Sequence, residues 1–151
     1  MAQIQSNTNS PQECSFTYSG IAPTSLVHGS LVSAVRELAL RSAVPTTVRV
    51  SGSGEPTEQV GSTVYFVVAE CLANVAKHAS AIRAEVELHV GNPVRVSVAD
   101  DGRGGATLVG PGTGLRGLVD RVESRGGRLE LVSGSSGTKV TATVPGEDGR
   151  R

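Results

Sequence analysis

Three short segments between Glu70 and Leu118 contain the residue types that a nucleotide site needs. In chain order they read AECLANVAKHA, VADDGRGG and GTGLRGL. The first places polar side chains along an otherwise apolar helix. The other two are glycine-bearing turns, one after a strand and one before a helix. Each segment alone is a weak signal, but their order and spacing together indicate one pocket for a phosphate-bearing ligand.

The first segment lies on a long predicted helix of residues 60–79. Four polar residues share an arc of about 100° beside its apolar stripe, at about 100° per residue. They are Glu70, Asn74, Lys77 and His78. Magnesium takes oxygen ligands and usually keeps several waters, so the Asn74 oxygen suits a magnesium-bound nucleoside triphosphate. Glu70 can orient or deprotonate an attacking group, and the two basic residues can hold phosphate charge. The alternative is an ordinary solvated helix edge.

The second segment starts with Asp100 at the end of a predicted strand. A carboxylate there can accept a hydrogen bond from the exocyclic amine that distinguishes adenine from guanine. The neighbouring Gly102 and Gly104 let the backbone turn and approach a flat base without Cβ clashes. The alternative is a tight Asp-Gly turn that only joins the strand to a loop.

The third segment begins a helix with a glycine-rich turn. Free backbone N–H groups at a helix N-terminus, together with the helix dipole, make a phosphate site. The alternative is an ordinary loop and helix start. The segment contains Gly112, Thr113, Gly114, Leu115, Arg116, Gly117 and Leu118.

Hydrophobic periodicity predicts the elements that must position these segments. A helix starts at the N-cap Ser30 and is over by Pro45, and a helix of about 114–125 stops at Gly126. Alternating residues predict strands at 46–52, 84–90, 94–98, 129–131 and 140–144, with a hairpin turn at Gly91-Asn92. Each strand has one apolar face, so we expect a two-layer α/β sandwich. Its mixed sheet of about five strands is covered on one face by about three helices.

Composition sets the class and the boundaries of the domain. Lys plus Arg and Asp plus Glu are balanced at 14 each, which does not indicate nucleic acid or an anionic membrane as a partner. No apolar run reaches the ~20 residues of a membrane span and no signal-peptide pattern is present, so we expect a cytoplasmic location. We expect a disordered lead-in at 1–15, one domain at 16–145 and a disordered tail at 146–151.

The motifs resemble those of the GHKL ATPase superfamily. ExxxN spans Glu70–Asn74, DxGxG spans Asp100–Gly104, and GxGLxGL spans Gly112–Leu118. Within that superfamily, AECLANVAKHASA, VADDGRGGA, GTGLRGLVDRVESRGGRLEL and GTKVTATVP resemble the catalytic domain of sensor histidine kinases that pair with NarL-type response regulators.

The resemblance implies ATP and Mg²⁺ as ligands and gives each matching residue a role. Glu70 would be the catalytic carboxylate, Asn74 the magnesium ligand and Asp100 the adenine contact. The glycines of the third segment would line the phosphates, with Thr138 near them.

None of the three histidines fits a phosphoacceptor, which in such kinases lies in a His-Asp pattern on a dimerising helix pair. His28 precedes a glycine and a helix cap, His78 lies on the pocket helix and His89 on a polar strand face. We therefore expect the acceptor histidine on a separate domain or chain. Two alternative functions stay open: an anti-sigma-factor-type serine kinase, and a non-catalytic ATP-binding regulatory module.

Overall fold

The computed structural model describes residues 30–79, 81–102 and 115–146, without the side chains of residues 78 and 79. The predicted N-terminal lead-in lies outside these ranges, as does the predicted tail beyond Gly146. Gly146 itself is tied to the domain, because its N–H donates to Asn92 Oδ1 at 2.8 Å.

Three helices and five strands make up the described part of the chain. The helices are α1 (Leu31–Leu40), α2 (Glu58–Asn74), which continues as a π-helical turn (Val75–Ala79), and α3 (Leu115–Glu123). The strands are β1 (Thr46–Gly52), β2 (Ala84–Val90), β3 (Val94–Asp100), β4 (Arg128–Gly134) and β5 (Gly137–Val144).

The strands form one mixed sheet in the order β1-β2-β3-β5-β4. Only the β1–β2 pair is parallel, and the other three pairs are antiparallel. The apolar positions of the strands face the helices, with α1 on β1, α2 on β3 and β5, and α3 on β4. The predicted two-layer sandwich of five strands and three helices is confirmed.

Local capping fixes where the helices begin and end. Ser30 accepts a hydrogen bond from the N–H of Ser33 at 3.0 Å, which confirms it as the α1 N-cap. At the other end of the helix layer, Gly126 follows α3 with φ near +80°. Its N–H and that of Gly127 donate to the carbonyls of Glu123 and Val122, closing the helix in a Schellman motif.

The central helix is more deeply buried than an amphipathic stripe requires. The predicted stripe from Val64 to Val75 is buried, but Tyr65 and Phe66 on the flanking positions are buried as well. The helix has neighbours on both sides, since α1 and α3 each pack against it. By length and composition alone Glu58–Lys77 is apolar enough to cross a membrane, yet 61% of that window is buried inside the domain, as in the core helix of a globular protein.

The long helix begins close to its predicted start at about residue 60. Thr57 is the N-cap, because its hydroxyl accepts from the N–H of Val60 at 3.3 Å, so the helix begins at Glu58. The hairpin predicted at Gly91-Asn92 is confirmed, because the antiparallel strands β2 and β3 end at Val90 and begin at Val94 as expected.

The β4–β5 hairpin provides a stability test. A Cβ on Gly137, whose φ is +135°, would overlap the carbonyl oxygen of Asp100 on β3. We expect Gly137→Ala to lower the free energy of unfolding by about 2–4 kcal/mol, from backbone strain and overpacking together. Gly134 faces Gly137 in the same hairpin, and a Cβ on it would meet no atom within 4 Å, so Gly134→Ala is the matched control. Equal denaturation midpoints for the two variants would contradict this assignment.

Candidate functional site

The C-terminal half of α2 and the end of β3 meet around one buried residue, Cys71. Its side chain is 3% exposed. Burial is the main reason that the pKa of the Cys71 thiol is raised to about 12, and the negative charges of Glu70 and Asp100 act in the same direction. The carboxylates of Glu70 and Asp100 therefore both lie near the Cys71 thiol, at the edge of the core. Two of the three segments singled out in the sequence are brought together in space.

The two carboxylate oxygens of Asp100 have different surroundings. Its Oδ1 accepts the N–H of Gly102 at 2.8 Å, which forms the tight turn after β3. Among the described residues, its Oδ2 has no hydrogen-bond partner. The side chain is half-buried and Gly102 is buried, so the turn lies close to the core. Asp100 therefore forms the tight Asp-Gly turn and still has a second carboxylate oxygen that could accept a hydrogen bond from a ligand.

Thr138 lies next to Asp100, as its partner in the β3–β5 ladder. Its hydroxyl is 3.0 Å from that of Ser133 on β4. The resemblance to GHKL ATPases implies that Thr138 lies near the phosphates. The structure gives it a position beside the expected adenine contact, and the predicted phosphate residues 112–114 lie outside the described part of the chain.

The polar arc on α2 has a different geometry from the one predicted. Glu70 and Asn74 are half-buried on the last α-helical turn, as an edge beside the core requires. From Val75 the chain forms a π-helical turn, so the spacing of 100° per residue no longer applies beyond Asn74. Lys77 is exposed on that turn, and His78 lies on it with its side chain outside the description. The regular α-helical arc therefore extends only to Asn74, and the place of His78 beside the other polar residues stays a prediction.

The start of α3 separates the third segment into two kinds of residue. Leu115 and Leu118 are 3% and 4% exposed and belong to the core. Arg116 and Gly117 are exposed on the first turn of the helix. The two leucines hold α3 against the domain, and any contact of theirs with a nucleotide stays a prediction. Gly104 and residues 112–114 lie outside the described residues.

Sequence reasoning missed the role of Asp101. This carboxylate accepts hydrogen bonds from the backbone N–H groups of Ile82 and Arg83 through one oxygen, at 2.9 and 3.1 Å. Those two bonds, the one from Arg83 first, hold the pKa of Asp101 below its ordinary value. The partners are 19 and 18 residues away in the chain, so no local pattern could have revealed them.

Asn74 fits a magnesium ion that is bound together with a nucleotide. Within residues 30–79, 81–102 and 115–146, no group of three or more His, Cys, Asp or Glu side chains could hold a metal. Asn74 supplies one neutral oxygen at a half-buried helix edge. Such an edge suits an ion whose other ligands are phosphate oxygens and water.

Comparison with known proteins gives the fold its context. No protein-family model matches the chain. The sensor histidine kinase NarS of Mycobacterium tuberculosis is 31% identical over 154 residues, covering 96% of this chain and 36% of that protein. The histidine kinase domain of a blue-light-activated kinase from Erythrobacter litoralis superposes with a TM-score of 0.57 at 26% identity. It matches over 75% of this chain and 56% of the solved one.

The chain has the fold of a histidine kinase catalytic domain. The solved catalytic domain of the histidine kinase ThkA is covered over 96% of its length, with 81% of this chain, at a TM-score of 0.57 and 15% identity. The curated relatives that the chain matches are mainly named as sensor histidine kinases, and the chain spans well under half of their length. This chain therefore corresponds to only one part of those longer relatives.

The buried thiol in this kinase fold gives a prediction. With a pKa near 12, Cys71 holds roughly a thousandth of the thiolate of an ordinary cysteine at pH 8. We expect iodoacetamide to label Cys71 in the folded domain at least ~1,000-fold more slowly than in guanidinium, as followed by peptide mass spectrometry. Equal labelling rates in the two conditions, with native circular dichroism in the first, would disprove the assigned environment.

Proposed function

We propose that this chain is the ATP-binding catalytic domain of a two-component sensor histidine kinase. It binds Mg·ATP and transfers the γ-phosphate to a histidine on a separate domain or chain. The observation that carries the proposal is the Asp100 oxygen that no other described residue bonds, held beside the half-buried Glu70–Asn74 turn in a histidine kinase catalytic fold. The sensor histidine kinases among the relatives support the same reaction class.

Recognition of the base rests on Asp100. Its Oδ1 is occupied by the N–H of Gly102, which fixes the orientation of the carboxylate. Oδ2 then accepts a hydrogen bond from the exocyclic amine of adenine. Guanine presents a carbonyl oxygen at that position, and two facing acceptors repel each other, so the site selects ATP over GTP.

The phosphates are held by the end of α2 and the start of α3. Asn74 would supply a magnesium ligand, and the bound ion would neutralise charge on the phosphate oxygens. Lys77, His78 and Arg116 would add positive charge. Gly102, Gly104, Gly112, Thr113, Gly114, Gly117 and Thr138 complete the proposed binding set, with Leu115 and Leu118 positioning the helix.

Glu70 is the proposed general base. An imidazole nitrogen of the acceptor forms a bond to the γ-phosphorus while the bond from that phosphorus to the bridging oxygen breaks and ADP leaves. The proton that the imidazole loses passes to the Glu70 carboxylate. The rest of the rate enhancement comes from positioning and charge stabilisation.

The partner class and location are part of the same proposal. A histidine-containing dimerisation domain, in the parent protein or in another chain, receives the phosphate and passes it to a NarL-type response regulator. The motif resemblance and the name of the relative NarS support that regulator class. We place the domain in the cytoplasm, where ATP is available, whether or not the parent protein is anchored in a membrane.

A transfer assay tests the function directly. The domain is mixed with Mg²⁺, γ-labelled ATP and an acceptor-helix protein encoded near it in the genome. We expect label on the acceptor that is lost in acid and kept in base, as for phosphohistidine. Acid-stable phosphoserine would favour the serine-kinase alternative, and ATP binding without transfer to any acceptor would favour the regulatory module.

Two substitutions should separate binding from chemistry. Asp100→Asn keeps an oxygen for the N–H of Gly102 but can present an amide group to the adenine amine, so we expect ATP binding to be lost. Glu70→Ala should bind ATP with a Kd within about threefold of wild type while transferring phosphate at least ~100-fold more slowly. Isothermal titration and the transfer assay measure the two quantities. Normal ATP binding by Asp100→Asn would mean that the pocket is misplaced.

Gly117 tests the approach of the phosphates. A Cβ there would meet no protein atom within 4 Å, and alanine favours a helix by about 1 kcal/mol over glycine. Gly117→Ala should therefore be as stable as wild type or slightly more stable. We expect its ATP affinity to fall about tenfold, because the methyl group would occupy space that the phosphates need. Unchanged affinity would place the phosphates elsewhere.

A further inference from the structure

Asp101 fastens the segment that leads from the end of α2 into β2. One carboxylate oxygen accepts the N–H groups of Ile82 and Arg83 at 2.9 and 3.1 Å. The backbone N–H of Asp101 in turn donates to the Arg83 carbonyl at 3.4 Å. A single residue thus binds three backbone groups of a two-residue stretch. We call this set of bonds the Asp101 clamp.

The strength of the clamp lies in its backbone bonds. Hydrogen bonds to an ionised carboxylate are about twice as strong as neutral ones. The Arg83 side chain adds little, because its Nε is 3.7 Å from Asp101 Oδ2 and its side chain is 78% exposed. The N–H groups of Arg83 and Ile82 hold the pKa of Asp101 below its ordinary value, so the carboxylate is ionised at neutral pH.

The clamp lies between the two halves of the candidate site. On one side, the π-helical turn that extends α2 ends at Ala79, three residues before Ile82. On the other side, Asp101 directly follows Asp100, the proposed adenine contact. The clamp therefore holds the chain that follows α2 against the strand end that carries Asp100.

Fixing this segment in advance has a consequence for binding. If residues 81–83 were free, the ligand would have to order them, and that loss of conformational entropy would weaken its affinity. With the clamp formed, Ile82 and Arg83 are already held beside the end of β3 in the free domain. A second, purely structural interpretation is that the clamp only stabilises the fold.

We propose that Asp101 is a positioning residue for nucleotide binding, which fixes the end of α2 relative to Asp100 and so sets the affinity for Mg·ATP. The inference rests on the proposed function, because it concerns the same nucleotide. It assigns Asp101 no contact with the ligand. Its action passes through the backbone of Ile82 and Arg83.

Substitutions that keep or remove the acceptor oxygen test the proposal. Asp101→Ala removes it, and we expect the Kd for Mg·ATP to rise about tenfold. Asp101→Asn keeps an oxygen that can accept both N–H groups, and should restore the Kd to within about threefold of wild type. Should the alanine variant fail to fold, Asp101→Ser replaces it with the same expectation, because its shorter hydroxyl cannot reach both groups.

Arg83→Ala is the matched control. It removes the exposed guanidinium but leaves both backbone N–H groups bonded to Asp101. We expect an unchanged Kd. A rise in Kd like that of Asp101→Ala would show that the ion pair carries the effect, and the proposal would be wrong.

Amide hydrogen exchange at single residues distinguishes a local loss of the clamp from a change in the stability of the whole domain. In Asp101→Ala without ligand, exchange at Ile82 and Arg83 should accelerate about tenfold or more while exchange in β3 and β5 stays unchanged.

A lower melting temperature of Asp101→Ala together with the wild-type Kd, measured well below that temperature, would overturn the proposal in favour of a structural role. If the wild-type domain binds no ATP, the proposed function fails first. If wild type binds and Asp101→Ala binds equally well, this inference alone fails.

Discussion

The side chains of Val64, Val67 and Val68 are wholly buried where α2 packs on β3 and β5, and the other elements are arranged around that contact. Because α1 and α3 cover the two sides of α2, most of its length has no access to water. Burial of this much apolar surface is the main favourable term in folding. It also fixes the helix over β3, so that the C-terminal half of α2 lies next to the end of that strand.

The polar residues of the candidate site lie on this helix where its cover ends. Glu70 and Asn74 are half-buried because they belong to the last α-helical turn, beside the end of β3. The same packing places the thiol of Cys71 between the core and two carboxylates. The site therefore forms where the hydrophobic core ends. There its polar side chains stay partly exposed to water, so no unpaired charge has to be buried.

The sequence was sufficient wherever a short-range pattern decides the structure. Alternation along β2 and β5 predicted their buried faces, and Ser30 and Gly126 marked helix ends through caps that involve only neighbouring residues. The π-helical turn after Asn74 was not predictable, since periodicity arguments assume one helix type. The role of Asp101 was equally hidden, because a carboxylate shows no preference in sequence for the distant N–H groups that it accepts.

The two adjacent aspartates of the DDG turn have different roles in the structure. Asp100 ends β3 and uses one oxygen to close the turn, and its other oxygen has no partner among residues 30–79, 81–102 and 115–146. Asp101 is one residue further, beyond the end of β3, and one of its oxygens accepts the N–H groups of Ile82 and Arg83 just before β2. The two carboxylates therefore differ in what they accept: Asp100 closes its own turn, whereas Asp101 holds backbone N–H groups that lie 18 and 19 residues earlier in the chain.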